Sequence, residues 1–255
     1  ADHLPRQLLR EISQMPRLTG ILPYLAWQED ARLFVLDQGG FGEREEHAIG
    51  FCIETLPQTG ASDEMEKVLA SLFVSCPPGT GIQISLYGSP HILPLLRAQA
   101  NLLPSSASID EADFEERRHG NIFRLLARRR IDHYLKGTGQ SIFGHQTYLL
   151  RDFRSVIAIT LPLDPESPAD VDEALRIRES VHATLKSAHL PGHDWGPGDL
   201  MNFTADFFDH NRLFAGGTSR PIEWNENLPL RDQLSDLEVA SRVGDGDIRF
   251  RKAGG

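Results

Sequence analysis

Cys76-Pro77-Pro78-Gly79-Thr80-Gly81 is the stretch of this 255-residue chain that most resembles a nucleotide-binding loop. Such a loop needs a lysine on the β- and γ-phosphates, a Ser or Thr hydroxyl on magnesium, and a helix whose first amides face the phosphates. Here Ile82 and Gln83 follow instead. The flanking pattern puts a helix before the turn and a strand after it, the reverse of the strand-loop-helix order. The stretch therefore reads as a plain helix-to-strand turn.

The remaining candidates are weaker. Cys76 lies eleven residues after Met65 and continues the apolar stripe of the preceding helix, which indicates burial rather than reactivity. Cys52 lies on the opposite face of its strand from Ile49, Phe51 and Ile53, with no neighbour in sequence that marks a nucleophile. His189, His193 and Asp194 could be written as a metal set, but Pro191-Gly192 interrupts any shared helical face, and loop histidines are the simpler reading. His133, His145 and His182 are scattered, without a Gly-x-Ser-x-Gly or His-Glu-x-x-His frame. No catalytic, cofactor-binding or metal-binding residue is assigned. Arg117, Arg118, Arg124, Arg128, Arg129 and Arg130 concentrate positive charge on one helix of a chain whose net charge is −10. Glu111, Asp113, Glu115 and Glu116 precede them, so a solvated, dipole-matched face is the bland explanation. The sharper one is contact with anionic lipid, nucleic acid or an acidic partner.

The elements that would position these residues follow from periodicity. Leu33-Phe34-Val35-Leu36 and Ala48 to Leu56 read as strands, the second alternating as a half-buried antiparallel strand does. Ser62 caps a helix carrying Met65, Val68, Leu69, Leu72 and Phe73 at helical spacing. Ile82, Ile84 and Leu86 alternate with Gln83, Ser85 and Tyr87 as the next strand, so this helix and its two flanking strands could form a crossover. A short helix within Pro90 to Leu103 and a long polar helix over Asp110 to Lys136 come next, the latter with a core stripe of Phe123, Ala127, Ile131 and Leu135. Val156-Ile157-Ala158-Ile159 has the pattern of a strand covered on both faces. Ser167-Pro168-Ala169-Asp170 starts a helix whose face is Val171, Ala174, Ile177, Val181, Leu185 and Ala188. An extended piece at His193-Asp194-Trp195 leads to a helix near Asp199 to His210, and the remainder is loop-rich, with a strand start at Asp247 to Phe250.

These patterns give an α+β class: two mixed lobes, each a small, largely antiparallel sheet packed with helices. The expected division is residues 1–105, residues 106–215 and a loop-rich tail at 216–255. Alternation in the first lobe favours a sheet with one face exposed or lightly covered.

Composition sets further bounds. The acidic balance argues against wholesale nucleic-acid binding, which rests on lysine and arginine. Two cysteines are too few for a disulfide scaffold and fit a reducing compartment such as the cytoplasm. The longest apolar run, Val156 to Leu163, is broken by Thr160 and Pro162 and falls short of the roughly 20 residues of a membrane helix. Both ends, Ala1-Asp2-His3 and Arg251-Lys252-Ala253, read as cut from something longer.

An ordered series of short matches carries a family resemblance: Leu22-Pro23-Tyr24, Leu33-Phe34, Ile49-Gly50-Phe51, the Pro57 to Ser62 turn, and Pro78-Gly79-Thr80-Gly81-Ile82. Leu150-Arg151-Asp152-Phe153-Arg154, the long helix after Pro168, and Phe207-Phe208-Asp209-His210-Asn211 continue it. Over most of Leu18 to Val243 the chain resembles the N-terminal region of TraC-family conjugation ATPases of type IV secretion systems. The resemblance implies that ATP, magnesium and the catalytic residues belong to a C-terminal motor domain beyond this chain, leaving none in this segment. It implies a role in assembly: docking at the cytoplasmic face of the bacterial inner membrane, self-association, and contact with other secretion-channel subunits, in systems that move DNA or pilus subunits. Two alternatives stay open. One is a free-standing enzyme with a site assembled from distant residues around His193 to Asp199. The other is a DNA-binding module using the arginine-rich helix.

Overall fold

The computed structural model describes residues 22–37, 47–58, 60, 62–101, 122–144, 146–208, 223–234, 239–243 and 248–252. In chain order these form β1 (Tyr24–Gln28), β2 (Leu33–Asp37), β3 (His47–Thr55), α1 (Asp63–Ser75), β4 (Gly81–Ser89), α2 (Leu93–Asn101), α3 (Ile122–Lys136) and β5 (Asp152–Leu161). There follow α4 (Pro168–Ser187), β6 (Gly192–Asp194), α5 (Pro197–Phe208), α6 (Leu230–Gln233), β7 (Val239–Val243) and β8 (Ile248–Lys252). The class is α+β, as expected.

One sheet dominates, with order β1-β2-β3-β5-β4 and β6 also paired to β3. β3 is its spine. Along one edge it pairs antiparallel with β5, from Ile49↔Leu161 to Thr55↔Ser155. Its other edge is shared: β2 takes the first half, from Phe34↔Gly50 to Asp37↔His47, and β6 takes the end, at Ile53↔Asp194 through Thr55↔Gly192. Gly81 lies beside Thr160 and Gly88 beside Phe153, so β4 runs antiparallel to β5. β3 and β4 are therefore parallel, joined by α1 across the intervening β5. By the same logic β5 and β6 are parallel, joined by α4 across β3. Two interleaved split β-α-β units result, with spatial order β6-β3-β5-β4: ferredoxin-like connectivity, extended beside β3 by the β1–β2 hairpin.

The helices form where local chemistry dictates. The Ser62 hydroxyl accepts a hydrogen bond from Met65 N at 3.2 Å, and Asp63, Glu64 and Glu66 occupy the positive end of α1. In α4 the Ser167 hydroxyl accepts from Asp170 N at 3.4 Å, and Pro168 stands in the first turn, where its missing N–H costs nothing. Ala174, Ile177, Val181 and Leu185 then bury one face of α4 against the sheet, together with Ile49, Phe51 and Ile53 of β3, Ile157, Ile159 and Leu161 of β5, and Leu72 of α1.

The opposite sheet face is covered as well. Phe34, Leu36, Ala48, Cys52 and Val156 pack there against Trp195, Leu200 and Met201, and against Leu230 and Leu234 at α6. This corrects the expectation of an exposed or lightly covered face: short-range alternation cannot see the C-terminal segment that returns to cover it. The double coverage expected for β5 is present.

The expected division near residue 105 meets a sheet that takes strands from both sides of it. The chain groups into one compact unit comprising Ala1–Ser85, Ser155–His210 and Arg220–Gly255, and a second comprising Leu86–Arg154 and Asn211–Ser219. Most of the second, including α2 and α3, lies between β4 and β5 in the sequence. β1, unmarked by alternation, pairs with β2 from Tyr24↔Leu36 to Gln28↔Leu33. In the region expected to be loop-rich, β7 and β8 form a two-stranded antiparallel sheet of their own. Of the long polar helix, Ile122–Lys136 is described, and positions 110–121 lie outside the described residues.

Candidate functional site

The loop that resembles a phosphate cradle is closed on itself. Thr80 N donates to Pro77 O at 3.2 Å with Pro78 and Gly79 between them, and Gly79 has φ +88°. This is a type II β-turn, whose third position requires positive φ and so favours glycine. The Thr80 hydroxyl, which a nucleotide loop would turn toward magnesium, donates to Pro77 O at 2.8 Å. Side chain and backbone stabilise the same tight turn between α1 and β4.

A second group of polar side chains gathers around β6. His182 Nε2 on α4 lies 2.7 Å from Asp194 Oδ1, and Arg178 Nε lies 3.8 Å from Asp194 Oδ2. Arg178 Nη1 also donates to the carbonyls of Ala31 and Arg32, at 3.2 and 2.7 Å, in the β1–β2 turn where Arg32 holds φ +54°. Next along the chain, the buried Trp195 donates its indole N–H to Glu54 Oε2 at 2.8 Å, and its backbone N–H to Cys52 O at 2.9 Å. His193 Nε2 stands 3.9 Å from Glu54 Oε2, too long for a hydrogen bond.

A histidine paired with a carboxylate can relay a proton. Here, however, Asp194 is also faced by an arginine anchored to two carbonyls, so the set braces β6 against α4 and the β1–β2 turn. His189, the third residue of the possible metal set, sits at φ +60° beyond the end of α4. Among the described residues no group of three His, Cys, Asp or Glu side chains is placed to hold a metal ion. Sequence reasoning missed the Glu54–Trp195 pair. Its signal was an acid inside a strand otherwise full of core residues.

An open cleft of about 440 Å³ lies between α1 and α4, lined by Lys67, Val68, Ser71, Ser180, Ala183, Thr184 and Ser187. It shares no residue with the His193 to Asp199 segment. Two of its hydroxyls are already committed to their own helices: Ser71 donates to Val68 O and Ser187 to Ala183 O.

The arginine-rich helix is only partly described. Arg128, Arg129 and Arg130 are exposed on α3, as are Leu125 and Leu126, while Ile131 is buried and Ala127 and Leu135 are half-buried. Arg117 and Arg118 lie outside the described residues, and of Arg124 only the helical backbone is described. No helix among the described residues is long and apolar enough to cross a membrane.

β4 differs from the other strands. Like β1 it ends the sheet order among the described residues and carries no charge, here over nine residues, Gly81 to Ser89. Ile82 is half-buried beside α1, but Ile84 and Leu86, on the same face, are 62% and 68% exposed. Soluble proteins generally blunt such an edge with lysine, proline or a bulge.

The sequence profile of the TraC protein family matches residues 18–253. This chain belongs to the TraC family. The family comprises conjugative type IV secretion proteins, so the chain is a component of that machinery. No curated protein and no solved structure matches it. The TraC match runs from before β1 to just past β8 and includes the stretch between β4 and β5 bearing α2 and α3. The features above therefore all belong to the TraC segment.

The two thiols of this TraC chain differ in environment. Cys52 is buried, with its sulfur 3.9 Å from the Tyr24 hydroxyl; burial pushes its pKa up to about 11, and the Tyr24 contact opposes this. Burial also raises Tyr24 and, more weakly placed at the surface, Cys76. The unfolded chain loses the Cys52 proton near the ordinary value of 9.0, before the folded chain does. The stability owed to the protonated thiol is thus complete below pH 9 and declines as pH rises through about 11. At pH 8 a maleimide is expected to label Cys76 in the native protein and Cys52 only after denaturation, as read by intact mass. Equal native labelling rates would contradict this burial.

Proposed function

We propose that this TraC-family chain is a non-catalytic assembly segment of a conjugative type IV secretion ATPase. It docks the motor at the cytoplasmic face of the inner membrane through self-association and contacts with channel subunits. The observation that carries the reading is β4: an uncharged, terminal strand with Ile84 and Leu86 exposed is a surface suited to adding a strand from another protein. The Pro77–Thr80 turn supports the non-catalytic half, because its threonine hydroxyl and its backbone are committed to each other. In this reading nucleotide and magnesium belong to a motor domain elsewhere in the parent protein. Titrating the chain with Mg-ATP is expected to give no binding heat and no phosphate release. Hydrolysis that survives repurification, and is lost on substitution of a residue in this chain, would overturn the reading.

The exposed Arg128, Arg129 and Arg130 favour a second reading, direct contact with DNA. It requires an affinity for duplex or single-stranded DNA that falls steeply with salt. Negligible binding at low salt excludes it.

A further inference from the structure

We propose that two copies of this chain join edge to edge through β4, antiparallel and with Ser85 on the two-fold axis, so that the two sheets continue into one. The inference rests on the assembly reading and names the partner and its register.

A β4 strand paired with itself about Ser85 sets Ile84 opposite Leu86 of the second copy and Leu86 opposite its Ile84. Four exposed apolar side chains then close over one another on one face. On the other face Gln83 meets Tyr87 of the second copy, while on the first face Gly88 meets Ile82 without crowding. The sequence Gly-Ile-Gln-Ile-Ser-Leu-Tyr-Gly-Ser is thus nearly palindromic in character about its centre. Directly opposed apolar pairs are the units that stabilise an antiparallel ladder.

Charge points to the same occupant. A chain of net −10 repels its own copy over most of its surface. β4 is a nine-residue stretch without a charge, so two copies approach there without like charges meeting. A partner recognised by charge would have nothing to read on this strand. Two-fold pairing also closes the edge, since each copy's β4 then has a neighbour on both sides and growth into a fibre stops.

The register gives an internally controlled test. Ser85→Cys, in a Cys76→Ser background, places two thiols directly opposite and should form an intermolecular disulfide on mild oxidation, because facing Cα atoms in such a pair are about 4.5–5.5 Å apart. Gln83→Cys alone should not cross-link. Its nearest copy is displaced by four residues, roughly 14 Å along the strand, beyond disulfide reach. Gln83→Cys mixed with Tyr87→Cys should give a heterodisulfide. Adding Ile84→Lys to Ser85→Cys should abolish cross-linking while leaving the circular-dichroism melt in place.

Efficient cross-linking of Gln83→Cys alone, or none with Ser85→Cys in a chain that melts like wild type, would overturn the proposal. If those cross-links fail but the chain still interferes with conjugative transfer, the self-pairing falls and the assembly role survives. Cross-linking without interference has the opposite meaning.

Discussion

Trp195→Ala is expected to destabilise the chain by about 3–5 kcal/mol, the range for removing a large aromatic side chain from a core. Trp195 is 3% exposed and packs in the second core with Leu200, Met201 and Cys52. Its ring lies 5.0 Å from that of Phe203, at a tilted 52°. Two costs add. The cavity removes the contacts that hold α5 on the sheet, and the indole N–H no longer satisfies Glu54, whose side chain is only 15% exposed. Losing one hydrogen bond to this largely buried carboxylate accounts for about 1.5–3 kcal/mol of that total. Trp195→Phe separates the two terms, since it keeps most of the ring and loses the donor; it should cost about half as much as the alanine variant. Urea denaturation measures both. A loss below about 1 kcal/mol for Trp195→Ala would show that this segment does not pack as described.

Gly192→Ala should cost about 1–3 kcal/mol although it adds a single methyl group. A Cβ at this position would stand 2.5 Å from Ile53 Cγ2, 2.8 Å from Glu54 O and 3.0 Å from Thr55 Cγ2. One of those atoms is backbone, so the β3–β6 pairing itself must open. β6 carries Asp194, and separating it from β3 strains the His182–Asp194 and Glu54–Trp195 links together. Gly198→Ala is the control: nothing lies within 4 Å of its Cβ, and the position is in the first turn of α5. Relief of glycine's backbone entropy in a helix makes that change neutral or stabilising, by up to about 1 kcal/mol. Paired thermal melts should show the melting temperature lowered for Gly192→Ala and unchanged or raised for Gly198→Ala.

What could be read from the sequence was what depends on near neighbours. Ser167, Pro168 and the stripe from Val171 to Leu185 define α4, and the buried set matches because Ala174, Ile177, Val181 and Leu185 enter the core over one sheet face, with Val171 packed against it. Ser62 and the Pro78-Gly79 turn were legible for the same reason: a cap and a type II turn are decided within four residues. The interleaved topology was not. Ile53 pairs with Ile157 on one side and Asp194 on the other, contacts over more than a hundred residues that no local pattern encodes. The Glu54–Trp195 bond spans 141 residues and was hidden likewise. The alternation of Ile82, Ile84 and Leu86 identified a strand correctly but not its environment, because period-two patterning marks a face without saying what covers it. The exposure of Ile84 and Leu86 emerges only from the tertiary packing, which covers Ile82 on that face and not the two residues beyond it.

The assembly role is tested most directly by conjugative transfer in donor cells that carry the intact system and also express this chain separately. A segment that docks with the secretion machinery should occupy sites meant for the full-length protein, so transfer frequency is expected to fall as its expression rises, and Trp195→Ala, which destabilises the fold, should weaken that effect. Unchanged transfer at a level of folded chain well above that of the full-length protein would contradict the assembly role.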